Sequence, residues 1–211
     1  MKYIALLIHG INVHNPAYSV GKLQTFFEAN GVPCIMVDYI HTGWLGARKK
    51  NPKLALKVAT ITRAIKKNNG VKIVVVSHSN GCAIAHLATK QFGAHIDYLV
   101  YINPALKRTL APGDIVERCD VYHSPSDLPV KASKLLSRLT KFISKKWFDA
   151  RPWGEMGAFG YKGDDPRMCN YDKENDSPVV SSGHSDLFDF DKVPFFGAVI
   201  TKRIFHYFED R

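Results

Sequence analysis

Cysteine is scarce: Cys34, Cys82, Cys119 and Cys169 are the four in 211 residues, widely spaced and with no CxxC pair. That spacing excludes a disulfide-stapled scaffold and a thiolate zinc cluster as organising principles, and the cysteines are expected to be reduced. No apolar run approaches the about 18 residues of a membrane span. The run ahead of His9 is too short for a signal-peptide core and has no cleavage pattern. Glycine (15) and proline (11) are too few and too scattered for a collagen-like or low-complexity chain. There is no Walker A sequence, and the stretch 154–163 does not lead from a strand into a helix as a phosphate loop must. The nine histidines and the Asp164-Asp165 pair form no recognisable ligand set, so neither a metal nor a cofactor is expected. What remains is a soluble globular protein, expected in the cytoplasm.

The composition, 45% hydrophobic and 23% charged, supports a substantial core, and residues 1–211 read as one domain. The formal charge of +10 is concentrated in 48–57, 66–72 and 131–146, whereas 164–191 is acidic, so a polarised surface is expected. A nucleic-acid module would account for the charge. Yet there is no recognition-helix signature, zinc-finger spacing or RNA-binding aromatic motif, and nucleic acid is not an expected partner. Residues 131–147 pattern as an amphipathic helix, with Leu135, Leu136, Leu139, Phe142 and Ile143 on one side and Lys134, Arg138, Lys141 and Lys145 on the other. The surrounding 129–155 reads as a small lid-like insertion or a foot for an anionic surface.

The organisation is repetitive in character though not in sequence. Segments 3–8, 32–37, 71–76, 98–102 and 115–121 are short, β-rich and mostly continuously apolar, which is how strands buried on both faces read. Helical patterns fall at 20–30, 52–68, 82–92 and 195–208, the second opened by Asn51-Pro52 and closed by Gly70. Alternating strand and helix predicts an α/β fold, a mostly parallel sheet with helices on both faces. The region 149–182 is loop-rich, with brief strand candidates at 156–159 and 179–180.

One junction carries chemistry. The strand ending in Val74-Val75-Val76 runs into Ser77-His78-Ser79-Asn80-Gly81 and then into the apolar helix starting at Cys82. Small residues two before and two after Ser79 allow the tight strand-to-helix turn that lifts a serine hydroxyl above the sheet, with Ser77 in place of the commoner glycine. A serine hydroxyl attacks a carbonyl only if a neutral imidazole takes its proton and a carboxylate orients that imidazole. His184, in a glycine-containing loop before the last helix, is the expected base; His78 should be pointed elsewhere by the turn. Asp127, just after the strand 115–121, is the expected acid, with Asp120 its rival and helix capping its plain alternative role. The N–H groups of Asn80 and Ile11 are the expected oxyanion donors, Gly10 permitting close approach and His9 organising the loop.

The ordered set His9-Gly10, Ser77 to Gly81, Asp127 and His184 resembles the α/β-hydrolase superfamily, specifically its small serine esterases and lipases, over nearly the whole chain. The resemblance implies Ser79 as nucleophile, Asp127 as acid, His184 as base, and Ile11 and Asn80 as oxyanion donors. It also implies that strand 3–8 corresponds to the family's third, as in a minimal member. A small-molecule or lipid-like ester is the implied substrate, with His9, Gly10, Trp44 and Trp153 expected around it. A catalytically inactive fold used for binding is the alternative.

Overall fold

Val- and Ile-rich runs with no room for polar side chains must be covered on both faces, and the covering is what the chain builds. The computed structural model describes residues 2–11, 13, 15, 18–39, 44–67, 70–131, 154–176 and 181–210, the side chains of 44–49 excepted. Its strands are β1 (Lys2–Ile8), β2 (Cys34–Val37), β3 (Val71–His78), β4 (Tyr98–Ile102), β5 (Arg118–His123) and β6 (Met168–Asp172). They form one sheet in the order β2-β1-β3-β4-β5-β6, every pairing parallel.

Alternate residues of each strand point to opposite faces. Leu6, Ile8, Ile73 and Val75 face α2 (Trp44–Lys66) and α3 (Asn80–Phe92), packing on Ala55, Val58, Ala59 and Ala85. Ala5, Leu7, Val74 and Val76 face the other layer, which contains α1 (Gln24–Ala29) and the terminal helix, burying Phe27, Phe196, Ile200 and Ile204. Each fully buried side chain of this size contributes about 1.5–3 kcal/mol. Further helices among the described residues include α4 (Met156–Phe159) and the terminal helix, α5 (Val193–Glu209). Among the described residues, no helix is long and apolar enough to cross a membrane.

Four sequence expectations need correction. The helix expected to start at Asn51-Pro52 starts at Trp44, with Pro52 inside it. Residues 156–159 form the helix α4, not a strand. The strand expected at 115–121 starts three residues later and ends two later, at Arg118–His123. Finally, the loop-rich region contains β6, whose Met-Cys-Asn-Tyr-Asp sequence has a single buried residue and lacks a strand's usual apolar run. The candidates at 179–180 and 131–147, and with them most of the lid-like insertion, lie outside the described residues.

The sheet order makes β1 and β3 neighbours although their following strands lie on opposite sides, so their carboxyl ends flank the point where the order reverses. A crevice opens at such a point, and ligands of open α/β sheets bind there. His9-Gly10 leaves β1 into this crevice beside the Ser77-Ser79 end of β3.

Candidate active site

The turn after β3 is compressed. Ser79 has φ 54° and ψ −119°, a left-handed conformation that a non-glycine residue adopts only under constraint. Its N–H donates to Ile102 O at 3.0 Å, and its carbonyl accepts from Cys82 N and Ala105 N at 3.1 and 3.2 Å, which hold the turn in place. Gly81 is obligatory here: a Cβ would stand 2.4 Å from Ile8 O and 2.6 Å from His9 O. Ser77 replaces the commoner glycine without penalty because its buried hydroxyl donates to Val100 O at 3.1 Å. Ser79 precedes α3 but makes no side-chain cap. Its hydroxyl instead meets His184 Nε2 at 2.9 Å.

The other face of that imidazole is equally engaged. His184 Nδ1 lies 3.0 and 2.9 Å from the two carboxylate oxygens of Asp127. Asp127 is fully buried at the carboxyl end of β5 and also accepts from Asn103 Nδ2 at 2.7 Å and from Val130 N–H at 3.1 Å. It therefore caps the following helical turn and faces His184 at the same time. Burial alone would raise its pKa, but the hydrogen bond and charge of His184, then Asn103 and Val130, hold the carboxyl below its ordinary value. Asp120 is elsewhere engaged, accepting from Tyr98 Oη at 2.6 Å and Arg118 Nε at 2.8 Å. Asp186 lies 3.5 Å from Lys173 Nζ and 3.3 Å from Lys192 Nζ.

His9 is 1% exposed and has no ring nitrogen left for a substrate. Nδ1–H donates to Gly10 O at 2.7 Å, Nε2 accepts from Tyr39 N–H at 3.4 Å, and the ring stacks on Tyr39 at 4.0 Å. These contacts fix the loop that follows β1. Gly10 does line the turn: a Cβ there would lie 2.9 Å from Ser79 Cβ and 3.4 Å from Ser79 Oγ. Ile11 follows it, and Asn80 opens α3 directly after the serine. Trp44 begins α2 rather than sitting in a loop, its side chain is outside the described residues, and so is Trp153.

Several contacts at the site carry no signal in the sequence. Asn51 and Asn80 pair through their carboxamides inside the fold. His78, instead of pointing away, donates Nε2–H to His184 O at 2.9 Å. Burial first, then the neighbouring His184, pushes His78 down to about 3, so its ring is neutral. Asn103, also at positive φ (45°), gives Nδ2 both to Asp127 and to Gly183 O at 3.0 Å. Ser124 accepts from Gly183 N–H at 3.2 Å and donates to Glu174. These contacts join positions up to 106 residues apart.

No family model matches the chain, and no curated protein does. Solved structures do. A protein from Xanthomonas campestris pv. campestris described as a hydrolase of the alpha/beta superfamily superposes with a TM-score of 0.55 at 16% identity, over 96% of this chain and 99% of that one. The chain has the α/β-hydrolase fold. A metagenome-derived lipolytic enzyme shares it with a TM-score of 0.55 at 12% identity, over 100% of this chain and 94% of that one. A CIB-like hydrolase from Thermoplasma acidophilum gives 0.51 at 15% identity, over 96% and 86% of the two chains. Ser79, Asp127 and His184 all follow the carboxyl ends of strands, β3, β5 and β6 respectively.

Proposed function

We propose that the chain is a serine hydrolase that cleaves carboxylic esters of small or lipid-like molecules, its whole length acting as one catalytic domain. The observation that carries this reading is the continuous line from Asp127 through His184 to Ser79, with 2.9 Å at each junction. It ends on a serine held at strained φ, whose hydroxyl serves no cap.

The chemistry follows from the groups. Asp127, ionised, fixes the tautomer in which His184 carries its proton on Nδ1, leaving the Nε2 lone pair for the Ser79 hydroxyl. As Ser79 Oγ bonds to the ester carbonyl carbon, its proton passes to Nε2. The carbonyl oxygen takes up the negative charge against the N–H groups of Ile11 and Asn80. Collapse breaks the carbon–alkoxy bond, and His184 gives its proton to the departing alcohol. Water then repeats the sequence on the acyl-serine, donating a proton to His184 and releasing the acid and free Ser79. The same parts would serve amides or thioesters; the lipolytic enzyme of matching fold supports esters.

The test is hydrolysis of short-chain p-nitrophenyl esters together with labelling by a fluorophosphonate. Wild type should do both, and Ser79→Ala, folded by circular dichroism, should label not at all and lose at least about 10³-fold in kcat. A well-folded wild type that neither hydrolyses nor labels would instead be a binding protein on a hydrolase fold.

A further inference from the structure

Lys173 is a fully buried lysine. It has no exposed surface, although an ammonium buried away from water costs several kcal/mol unless it is paired and hydrogen-bonded. Burial pulls its pKa down, while Asp186 and Asp127 pull it back up. Its position explains what the charge is set against. Lys173 is the first residue after β6, and its N–H donates to His123 O at 2.8 Å, extending the pairing of β6 with β5. Its carbonyl accepts from Ser181 N–H at 3.0 Å. Its Nζ then reaches Gly183 O at 3.1 Å, Ser181 Oγ at 3.5 Å and Asp186 Oδ1 at 3.5 Å.

One residue therefore grips the loop Ser181 to Asp186 on both sides of His184. The Gly183 carbonyl, one peptide before His184, receives both this ammonium and the Asn103 amide that also holds Asp127. Gly183 sits at φ 98°, a conformation that leaves this peptide little intrinsic preference and so dependent on its partners. We infer that Lys173 is a positioning residue for the active site: its buried ammonium fixes the Gly183 peptide and thereby the placement of the His184 ring between Asp127 and Ser79. The inference rests on the Ser79–His184–Asp127 reading given above. Lys173 touches neither substrate nor reacting atoms. It acts through the backbone of the base, and a displacement of about 1 Å there costs on the order of 10²-fold in rate.

Lys173→Met tests this. Asp186 Oδ2 keeps Lys192 as a partner, while its buried Oδ1 loses the Lys173 ammonium. The expected result is a kcat lower by about 10- to 100-fold with KM within about threefold, because the loss falls on transition-state geometry and not on binding. Lys192→Met, which removes the other ammonium from Asp186 and leaves Gly183 held, should stay within about twofold of wild type. A second readout does not need turnover: the low-field proton resonance of the His184–Asp127 hydrogen bond should be lost or broadened in Lys173→Met and unchanged in Lys192→Met. If Lys173→Met does not fold, the double variant Lys173→Met/Asp186→Leu replaces the pair with apolar groups and is read in the same way. A folded variant with unchanged kcat and an unchanged resonance overturns the inference. A wild type without esterase activity or labelling overturns the proposed function instead, and the resonance then decides the role of Lys173 alone.

Discussion

Asn51 and Asn80 form a reciprocal pair of carboxamides, each donating to the other's oxygen, at 2.8 and 3.1 Å. The pair ties the middle of α2 to the first residue of α3, and both side chains are buried. Removing one partner strands polar atoms that water cannot reach. Asn51→Leu should therefore lower stability by about 1–3 kcal/mol, whereas Asn51→Leu/Asn80→Leu should recover much of that loss. Urea denaturation of the single and double variants gives the coupling, and a purely additive cycle would show that the pair is not coupled.

Strain at Ser79 should be measurable as stability. A serine at φ 54° costs about 1–3 kcal/mol, a cost that glycine does not bear. Ser79→Gly should unfold at higher denaturant than Ser79→Ala, by about 1 kcal/mol or more, with both inactive. Equal midpoints would mean that the turn is not strained in solution.

Asp127 has two duties that a single substitution separates. Asp127→Asn keeps an oxygen to accept from Val130 N–H, so the helical turn and the fold persist. It removes the charge that holds His184 in the right tautomer. Esterase kcat should fall by about 10³- to 10⁴-fold with little change in melting temperature. A stability loss without an activity loss would make capping its sole role.

Acid should destabilise the fold through its buried histidines. Burial lowers the pKa of His9, pushes His78 to about 3 and, with Lys90 adding to it, His86 to about 4. The unfolded chain then takes up protons below about pH 6.5 while the folded one does not, so stability is whole above that pH and declines below it. Asp127 works in the same direction lower down: its depressed folded value means its contribution is present above about pH 4 and lost as pH falls through that folded value. Each histidine adds at most about 1.4 kcal/mol per pH unit. His86→Leu, on α3 away from the triad, should flatten the stability profile between about pH 6 and about pH 4.5 by one histidine's share. An unchanged slope would place His86 in water.

How much was legible depended on where each residue's partners lie. The strand, turn and helix around Ser79 could be read because all three lie within 71–92 and each is stated by its own composition. Ser77 is acceptable in the glycine's place because it is small; that its hydroxyl reaches Val100 O, across the neighbouring strand, is a tertiary fact. Asp127 could be preferred to Asp120 from its place just after a strand; that Arg118 and Tyr98 occupy Asp120 was not legible. The strand β6 escaped notice because it lies at the end of the sheet order with Met168 alone buried and carries no apolar run. Asn51 looked like a helix start because Asn-Pro usually is one, and the tertiary pairing with Asn80 overrode that local rule.

By itself the amino-acid sequence determined the α/β alternation and the elements from which the serine, acid and histidine would come. Those properties reside in hydrophobic period and turn chemistry, which act over a few residues. Tertiary structure alone decided what surrounds His184: the His78, Asn103, Ser124 and Lys173 contacts bring β3, the end of β4 and the ends of β5 and β6 onto one short loop. Hydrogen bonds between groups so distant along the chain leave no periodicity behind. They exist only because a parallel sheet gathers the carboxyl ends of its strands along one edge.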